Sequence, residues 1–508
     1  MVDQDVFQQE HTDSGMSLAS AVLSAFLCAL IACFWFGGIK AKSNKNLQHP
    51  LPPRCKEGFF QVLDRFNSIK FHDWILGVAR TQAKIVEFNL WPLVPWNTHF
   101  FAVSDPRVAR AILENPKTMK PREVYSLFDG IVGGVCFISE EGERYKHPRK
   151  SVLTGMSYSS MDDMQTKIDQ VIQAWIDRNL GQNKGDVTGV DVGVEMQKCT
   201  LQSIGKIAFG YDFSEQEQAE TLDKVVAAAF EFGIESEKNP IRKNRFLGPL
   251  FWPSKRKAVQ DVRDMRELAR KLLKIHRQKS PEEQSLVTIL NALDAKGKYD
   301  RFDKDESMIS DMLLLYFAGF DTTGYTVSFA LLELAKNQHI QTKLREELLQ
   351  ADQMPEQAPN SPLLKRVVKE TMRLWSVAAG GGARILPDDM VVTSDDGYGG
   401  ERQMTLPKGS MIMMATYPIM RDKDTFDRPD EWLPSRWENA TQEMKDAYMP
   451  FMVGRRSCPG QLLAVCESEI FLGRLVKDYE WSLVKETTPE YTITLKIKGT
   501  VLQAKKIA

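Results

Sequence analysis

The 508-residue sequence has little of what zinc sites, disulfide frameworks and nucleic-acid interfaces require. Its seven cysteines form no CxxC pair, and its seven histidines form neither HExxH nor HxxxH. The formal net charge of -1 leaves no basic excess for a polyanion, so we expect no nucleic-acid partner. Internal repeats and a Rossmann-type glycine fingerprint are also absent. The 43% of hydrophobic residues indicates a globular protein with a sizeable core.

One long apolar run stands near the front of the chain. No charged residue occurs from Ser14 to Ile39, and residues 16–39 exceed the ~20 apolar residues that a transmembrane helix needs. Acidic residues precede the run and lysines follow it, which predicts a lumenal segment 1–15 and a cytosolic body. A signal peptide or mitochondrial presequence would need basic residues before the run, and a core helix would not be apolar all round. We therefore expect a single-pass membrane anchor in contact with lipid.

The remaining sequence predicts one large domain behind a stiff connector. Residues 40–53 are basic and proline-rich, and residues 54–508 show no long low-complexity linker. Helical periodicity dominates the middle of the chain, after a helix that begins at Pro106 with Asp105 as its N-cap. β-branched and aromatic residues predict strands early in the domain, and "EYTITLKIKGTVLQA" predicts a terminal hairpin. The fold class is therefore mainly α with small β-sheets.

The stretch "FMVGRRSCPG" places one cysteine in a constrained loop before an apolar helix. Gly454 and Gly460 permit unusual backbone angles and close approach to a flat ligand. The following helix turns its free N–H groups and positive dipole end towards Cys458, which favours a thiolate. Arg456 could reach an acidic group at the ligand's edge. An isolated cysteine in such a turn is more often structural, and we give Cys466 that interpretation.

The complete spacing Phe-x-x-Gly-x-Arg-x-Cys-x-Gly resembles the haem-binding signature of the cytochrome P-450 family, of the eukaryotic membrane-anchored type. This resemblance implies the family's fold and a haem b cofactor. It implies that Cys458 is the axial ligand of the haem iron, with Phe451 packed near the sulfur.

A polar notch interrupts an otherwise apolar helical pattern at "AGFDTT". On residue chemistry alone, two helices meeting at a break with Asp321 as an N-cap are as good an interpretation as one kinked helix. The motif is similar to the family's oxygen-activation motif at every position. The similarity implies that Thr322 supplies the hydroxyl, that Asp321 helps to relay protons, and that Phe320 and Ala318 border the substrate.

Charged residues further along complete the resemblance. Glu370 and Arg373 lie three apart on a helical face, an arrangement that is usually a surface ion pair. With Arg436, they resemble the family's buried Glu-x-x-Arg network, which implies a structural role. Weaker similarities imply haem-propionate contacts from Tyr145, Arg149 and Arg384. Tyr145 stands where the family usually has tryptophan, and a triple glycine before Arg384 replaces the family's usual proline-bearing pattern.

The family resemblance implies a haem-thiolate monooxygenase that inserts one atom of O2 into an apolar or partly apolar small molecule. Electrons would come from NADPH through a separate reductase, with cytochrome b5 as a further candidate partner, at the endoplasmic reticulum membrane. A haem-thiolate isomerase or dehydratase acting on a peroxide, and a non-enzymatic haem sensor, are the alternatives. Fatty acids, sterols, terpenoids and prenylated metabolites all stay open as substrates. A basic face that could dock an acidic reductase is predicted from four residues: Arg144, Lys146, Lys150 and Arg455.

Overall fold

The computed structural model describes residues 47, 49–66, 68–88, 99–157, 160–181, 187–236, 239–285, 287–295, 304–351 and 361–507. The predicted lumenal segment and membrane anchor, and most of residues 40–48, lie outside these ranges. Among the helices that the structure does describe, none is both long and apolar enough to cross a bilayer. From His49 onward the described residues belong to one compact unit.

Helices make up most of this unit, as the periodicity predicted. In the first half they are α1 (Phe59–Phe66), α2 (Phe71–Thr81), α3 (Pro106–Glu114), α4 (Arg122–Val132), α5 (Glu143–Gly155), α6 (Met161–Asn179), α7 (Val192–Ile204), α8 (Glu215–Phe230), α9 (Pro240–Lys243), α10 (Leu247–Phe251) and α11 (Pro253–Gln278). In the second half they are α12 (Pro281–Ser285), α13 (Thr288–Asp294), α14 (Lys304–Lys336), α15 (Gln338–Ala351), α16 (Pro362–Leu374), α17 (Thr416–Ile419), α18 (Gln442–Ala447) and α19 (Gln461–Asp478). Single π-helical turns follow α7 and α8, at Gly205–Phe209 and Glu231–Glu235.

Small sheets flank the helices. The strands are β1 (Ile85–Phe88), β2 (Phe100–Val103), β3 (Val187–Asp191), β4 (Gly382–Ile385), β5 (Met390–Asp395), β6 (Glu401–Leu406), β7 (Met411–Met414), β8 (Tyr479–Lys485), β9 (Glu490–Tyr491), β10 (Leu495–Lys496) and β11 (Val501–Lys506). They form a four-stranded sheet in the order β1-β2-β7-β4, a three-stranded sheet β3-β11-β8, and the pairs β5-β6 and β9-β10. In the predicted terminal hairpin, β9 pairs with β10, whereas β11 joins the other sheet.

Local chemistry explains where these elements begin. The Asp105 carboxylate accepts hydrogen bonds from the backbone N–H groups of Arg107 and Val108, and Pro106 occupies the first position of α3. The predicted cap is therefore confirmed. The mainly helical fold class with small sheets is confirmed as well, because each sheet has only two to four strands.

Helix α14 runs through the centre of the unit and is buried along most of its length. It is one continuous α-helix through residues 318–323, so a break with Asp321 as N-cap is wrong. Helix α7 packs closely against it at Gly324, where an added Cβ would lie 2.9 Å from Thr200 Oγ1. The Thr200 hydroxyl donates to the Phe320 carbonyl at 2.9 Å, which satisfies part of the polar notch from outside the helix.

Candidate active site

The loop before α19 is held in one shape by its backbone. Gly454 has φ +76°, and a Cβ there would lie 2.3 Å from the Leu113 carbonyl oxygen, so only glycine fits. The Cys458 N–H donates to the Phe451 carbonyl at 2.9 Å, and the Gly460 N–H hydrogen-bonds the Cys458 thiol. The loop therefore presents its sulfur at the start of a helix, as the sequence predicted.

Cys458 lies in an unusual environment. The residue is exposed by its own surface area, yet burial among protein atoms raises the pKa of its thiol. Both observations hold together when a side chain faces an internal cavity rather than bulk water. The Gly460 N–H, and after it the charges of Arg149 and Lys120, lower the pKa of the thiol and so favour the thiolate.

The face of α14 around the notch borders the same space. Ala318 is exposed and Thr322 is half-buried, four residues apart on one face of a helix that is otherwise mostly buried. Thr322 lines a cavity together with Phe451 of the cysteine loop and Ala464 of α19. The Thr322 hydroxyl donates to the Ala318 carbonyl at 2.8 Å. The two sequence motifs, which are far apart in the chain, thus meet at one cavity.

Asp321 does not share that face. Its side chain is buried and accepts a hydrogen bond from Gln197 Nε2 at 2.8 Å and another from the Thr494 hydroxyl. Lys496 Nζ lies 3.8 Å from the same carboxylate. Phe320 is also fully buried, with its ring against Tyr316 and Phe317. None of these three partners of Asp321 could be predicted from the sequence, because no local spacing connects α7 or the β9–β10 hairpin to α14.

Cationic side chains gather beside the cysteine loop. Burial lowers the pKa of Lys120 well below its usual value, and the neighbouring charges of Arg384, Arg456 and Arg149 lower it further. Arg456 pairs with Glu141, but its Nε and Nη1 atoms have no hydrogen-bond partner among the described residues. Lys120 was not predicted, since a lysine in "PKTMKPRE" has no distinctive pattern.

The weaker sequence matches also lie at this cluster. Arg149 donates to the Ser457 carbonyl at 2.6 Å, directly beside the cysteine. The Tyr145 hydroxyl donates to the Arg455 carbonyl at 2.9 Å, and the Arg456 guanidinium lies 3.1 Å from the centre of the Tyr145 ring. Tyr145 therefore supports the cysteine loop.

Glu370, Arg373 and Arg436 form a separate, closed network. Arg373 donates to both carboxylate oxygens of Glu370 at 2.9 Å, and Arg436 Nε donates to the same carboxylate at 2.9 Å. The Leu433 N–H and Trp437 Nε1 complete the set, each at 2.9 Å. The Glu370 and Arg373 side chains are fully buried, and such an arrangement fixes geometry rather than binding a ligand.

The residues around the cavity fit a haem. A thiol that faces an internal cavity can bind a porphyrin iron, and the small, exposed side chain of Ala318 leaves room for a flat ring beside α14. The Glu141 carboxylate lies near both Arg456 and Lys120, but two nitrogens of Arg456 have no partner among the described residues, and the two propionates of haem would supply further anions.

Comparisons with known proteins agree with this site. The family model described as Cytochrome P450 matches residues 81–508. The chain is 26% identical over 462 residues to cytochrome P450 3A9 of Rattus norvegicus, covering 82% of this chain and 83% of the relative. It is 22% identical over 403 residues to a probable cytochrome P450 4ac1 of Drosophila melanogaster, covering 75% of each. It is also 36% identical over 227 residues to ent-cassadiene C11-alpha-hydroxylase 1 of Oryza sativa subsp. japonica, covering 42% of each.

The P450 family generally comprises haem-thiolate monooxygenases that act on small molecules with O2 and redox partners. Its model covers residues 81–508, which is most of this chain. The chain belongs to the cytochrome P450 family.

Proposed function

We propose that this protein is a haem-thiolate monooxygenase in which the Cys458 thiolate would hold the haem iron and the Thr322 hydroxyl would help to deliver protons for the reduction of O2. The observation that carries this proposal is the cavity that Thr322 shares with the loop of Cys458. One atom of O2 enters an apolar substrate, and the other leaves as water with electrons from a separate NADPH-dependent reductase and protons from solvent. A rearrangement of a peroxide would need no proton delivery, so the intact Asp321–Thr322 pair favours oxygenation over an isomerase.

Several side chains of this chain would hold the cofactor. The Gly460 N–H and the start of α19 stabilise negative charge on Cys458, while Phe451 shields the loop behind it. Lys120 and Arg456 have the donors for carboxylates, and Arg149 and Arg384 add positive charge beside them. When bound, haem would supply the O2-binding metal and the electron-transfer chemistry.

Thr322 and Asp321 have different proposed parts. The Thr322 hydroxyl faces the cavity and can pass a proton there, giving up its hydrogen bond to the Ala318 carbonyl. The buried carboxylate of Asp321 is one residue away and can supply protons only if it turns from its present partners. Helix α14 is buried along most of its length, which limits the access of bulk water to Asp321.

The substrate side of the cavity is apolar. Phe128 of α4 contacts Phe317 of α14, with ring centres 6.5 Å apart. The triple glycine before Arg384 is tightly packed, since Gly381 has φ +64° and an added Cβ would lie 1.8 Å from the Met414 carbonyl oxygen. These contacts support an apolar small molecule as substrate, consistent with a hydroxylase named for ent-cassadiene among the relatives.

The membrane location is supported by a second feature, independent of the predicted anchor. Phe246, Leu247, Leu250 and Phe251 are exposed, with exposed fractions of 70%, 43%, 63% and 62%. No acidic residue occurs in residues 239–257, whereas six lysines and arginines do. Exposed aromatic and leucine side chains among cations are typical of a segment that enters an anionic membrane interface. We therefore place the domain on the cytosolic face of the endoplasmic reticulum membrane, with reductase and cytochrome b5 as partners.

The membrane proposal has its own test. Phe246→Ser combined with Phe251→Ser should leave the anchored protein in vesicles but expose the segment to a water-soluble protease. The same digestion of the unaltered protein in phosphatidylcholine–phosphatidylserine vesicles should spare this segment. Equal cleavage of both proteins would remove the segment from the interface.

The ligand assignment is tested by Cys458→Ala. We expect this variant to lose the absorption band that the reduced, CO-treated thiolate haem gives, while Cys466→Ala keeps it. An unchanged band in Cys458→Ala would contradict the assignment.

The proposed role of the Thr322 hydroxyl is tested by Thr322→Ala. We expect the variant to bind haem but to consume NADPH largely without product, releasing hydrogen peroxide. Ser328→Ala is a suitable control, since its hydroxyl donates to the Gly324 carbonyl at 2.7 Å within the same helix. Full coupling of NADPH to product in Thr322→Ala would exclude Thr322 from the mechanism.

A further inference from the structure

The carboxylate of Asp321 is committed on both of its oxygens. Oδ1 accepts from Gln197 Nε2 and lies 3.8 Å from Lys496 Nζ, while Oδ2 accepts from the Thr494 hydroxyl. Gln197 belongs to α7, and the other two residues belong to the β9–β10 hairpin. Asp321, Gln197 and Thr494 are all buried. Buried hydrogen bonds to a charged group are strong, so the carboxylate has a defined position rather than a free rotation.

In that position the Asp321 carboxylate faces away from the cavity that Thr322 lines. Successive side chains on an α-helix are about 100° apart, so Asp321 faces α7 and the hairpin while Thr322 faces the cavity. To pass a proton towards Thr322, the carboxylate must leave Thr494 and Lys496. The hairpin thus holds the acid in a position from which it cannot serve the reaction.

The same hairpin contacts the substrate side of the domain. The Leu495 N–H donates to the Val377 carbonyl at 2.8 Å, and Val377 lines the cavity together with Thr322. An added Cβ at Gly233, in the π-helical turn after α8, would lie 2.8 Å from Ile493 Cδ1. Tyr491 packs against Phe71, with ring centres 5.2 Å apart. A displacement of the hairpin at Tyr491 or Ile493 would be transmitted to Thr494, because Thr494 lies within three residues of both.

We propose that Thr494 and Lys496 are positioning residues which lock the Asp321 carboxylate away from Thr322, so that the C-terminal hairpin controls when this acid can deliver protons. The inference depends on the proposed monooxygenase function. A locked acid suppresses the wasteful reduction of O2 while no organic substrate is bound. A bound substrate that displaces the hairpin then releases the Asp321 carboxylate.

The chain offers a matched pair of variants for this test. Thr494→Val removes the hydroxyl that donates to Asp321, whereas Thr492→Val removes a nearby hydroxyl that has no hydrogen-bond partner among the described residues. Lys496→Met and Lys498→Met form a second pair, because Lys498 is exposed at the surface. Each variant is made in the full-length holoenzyme, alone and together with Asp321→Asn.

The first measurement is NADPH oxidation with a saturating microsomal reductase and no organic substrate. Thr494→Val should raise this leak about two- to tenfold, the change in population that one hydrogen bond controls. Thr492→Val should leave it unchanged. In the Asp321→Asn background, Thr494→Val should have no further effect, because its action passes through the carboxylate. A leak that rises equally in both backgrounds would mean a general structural defect and would overturn the proposal.

The second measurement is independent of turnover. Amide hydrogen exchange over residues 490–496 of the holoenzyme should become faster in Thr494→Val and in Asp321→Asn, but not in Thr492→Val. Unchanged exchange in Thr494→Val would show that the hydrogen bond does not hold the hairpin, and the proposal would be wrong.

Failure of the proposed function would look different. If Asp321→Asn couples NADPH to product as well as the unaltered enzyme does, Asp321 delivers no proton, although hairpin exchange still increases. If Asp321→Asn impairs coupling while Thr494→Val and Lys496→Met leave the leak unchanged, the acid has its proposed role but the lock does not exist.

Discussion

Two clusters of buried charge among the described residues differ in how completely their hydrogen bonds are satisfied. In the network of Glu370, Arg373 and Arg436, the carboxylate accepts from both arginines, and Arg373 Nη1 also donates to the Met420 carbonyl at 2.8 Å. In the cluster beside Cys458, Arg456 keeps two nitrogens without partners among the described residues. Lys120 there is desolvated beside other cations.

This difference separates a structural site from a binding site. A buried network whose donors and acceptors match needs nothing from outside and fixes the elements that it joins. A buried cluster with excess positive charge and unpaired hydrogen-bond donors lowers the stability of the folded protein until an anion binds to it. The first cluster therefore stabilises the fold, and the second is the one that we propose binds the haem propionates.

The largest expected effect comes from breaking the satisfied network. Arg373→Met leaves the Glu370 carboxylate buried with fewer partners, and we expect a loss of about 3–5 kcal/mol in the free energy of unfolding. Urea unfolding of the apoprotein measures it. Because the arginine binds no cofactor atom, haem-free and haem-loaded proteins should be destabilised alike.

Arg366→Met on the same helix is the control. Arg366 forms a partly exposed ion pair with Glu438 at 3.3 Å, so its loss should cost at most about 1 kcal/mol. If both variants were equally stable, the contrast between the clusters would not hold.

The unsatisfied cluster should respond in the opposite way. Lys120→Met removes a desolvated cation from beside three arginines, so the apoprotein should keep or gain stability. Haem should be held more weakly by about 1.5–3 kcal/mol, the worth of one hydrogen bond to a charged group. Transfer of haem to an excess of apomyoglobin reports this loss as a faster rate.

The exposed Lys117→Met, three residues earlier, should change neither quantity. A destabilised apoprotein with normal haem retention in Lys120→Met would mean that Lys120 belongs to the structural class after all.

The same contrast explains how far the sequence could be interpreted. The cysteine loop and the pairing of Glu370 with Arg373 were predictable from local spacing, in a turn before a helix and on one helical face. The burial of that pair was not, because spacing alone favours a surface ion pair, and only the family resemblance implied the network with Arg436. The mainly helical class followed from periodicity. The continuity of α14 did not, because propensity cannot show that Thr200 from another helix satisfies the notch.

Long-range partners were beyond the sequence for a physical reason. Thr494 is 173 positions from Asp321, and Lys120 becomes unusual only when folding brings Arg384 and Arg456 to it. Such residues carry no pattern of their own, and their chemistry arises from packing.

A buried carboxylic acid, Glu467, belongs to neither cluster and extends the same rule. Burial raises the pKa of Glu467 on α19 to about 8, and its Oε1 has no hydrogen-bond partner among the described residues. The folded protein therefore keeps a proton that the unfolded chain, with a pKa near 4.5, releases. Stability from this group is complete below about pH 4.5 and is lost as the pH rises to about 8.

Glu467→Gln should remove this dependence, which amounts to about 1.4 kcal/mol per pH unit within the window. Urea unfolding at several pH values measures it, with the exposed Glu480→Gln as a control of equal charge change. A parallel pH dependence in Glu467→Gln and the unaltered protein would show that the acid is ionised in the fold.

The smallest effect on stability is expected at the exposed cations of α5. Arg144 and Lys146 expose about two thirds of their side chains, at 65% and 64%, and each pairs with a neighbouring acid. Reversing Arg144 and Lys150 to glutamate should change the free energy of unfolding by less than about 0.5 kcal/mol.

Yet these cations flank the cysteine loop, where an acidic reductase would bind, so haem reduction should slow and lose most of its salt dependence. Stopped-flow reduction under CO, over a range of salt, measures both, with Lys274→Glu and Lys408→Glu on other elements as the control. Equal rates and salt slopes in the two double variants would mean that these cations are only solvated, and that excess positive charge marks a binding site in this protein only where it is buried.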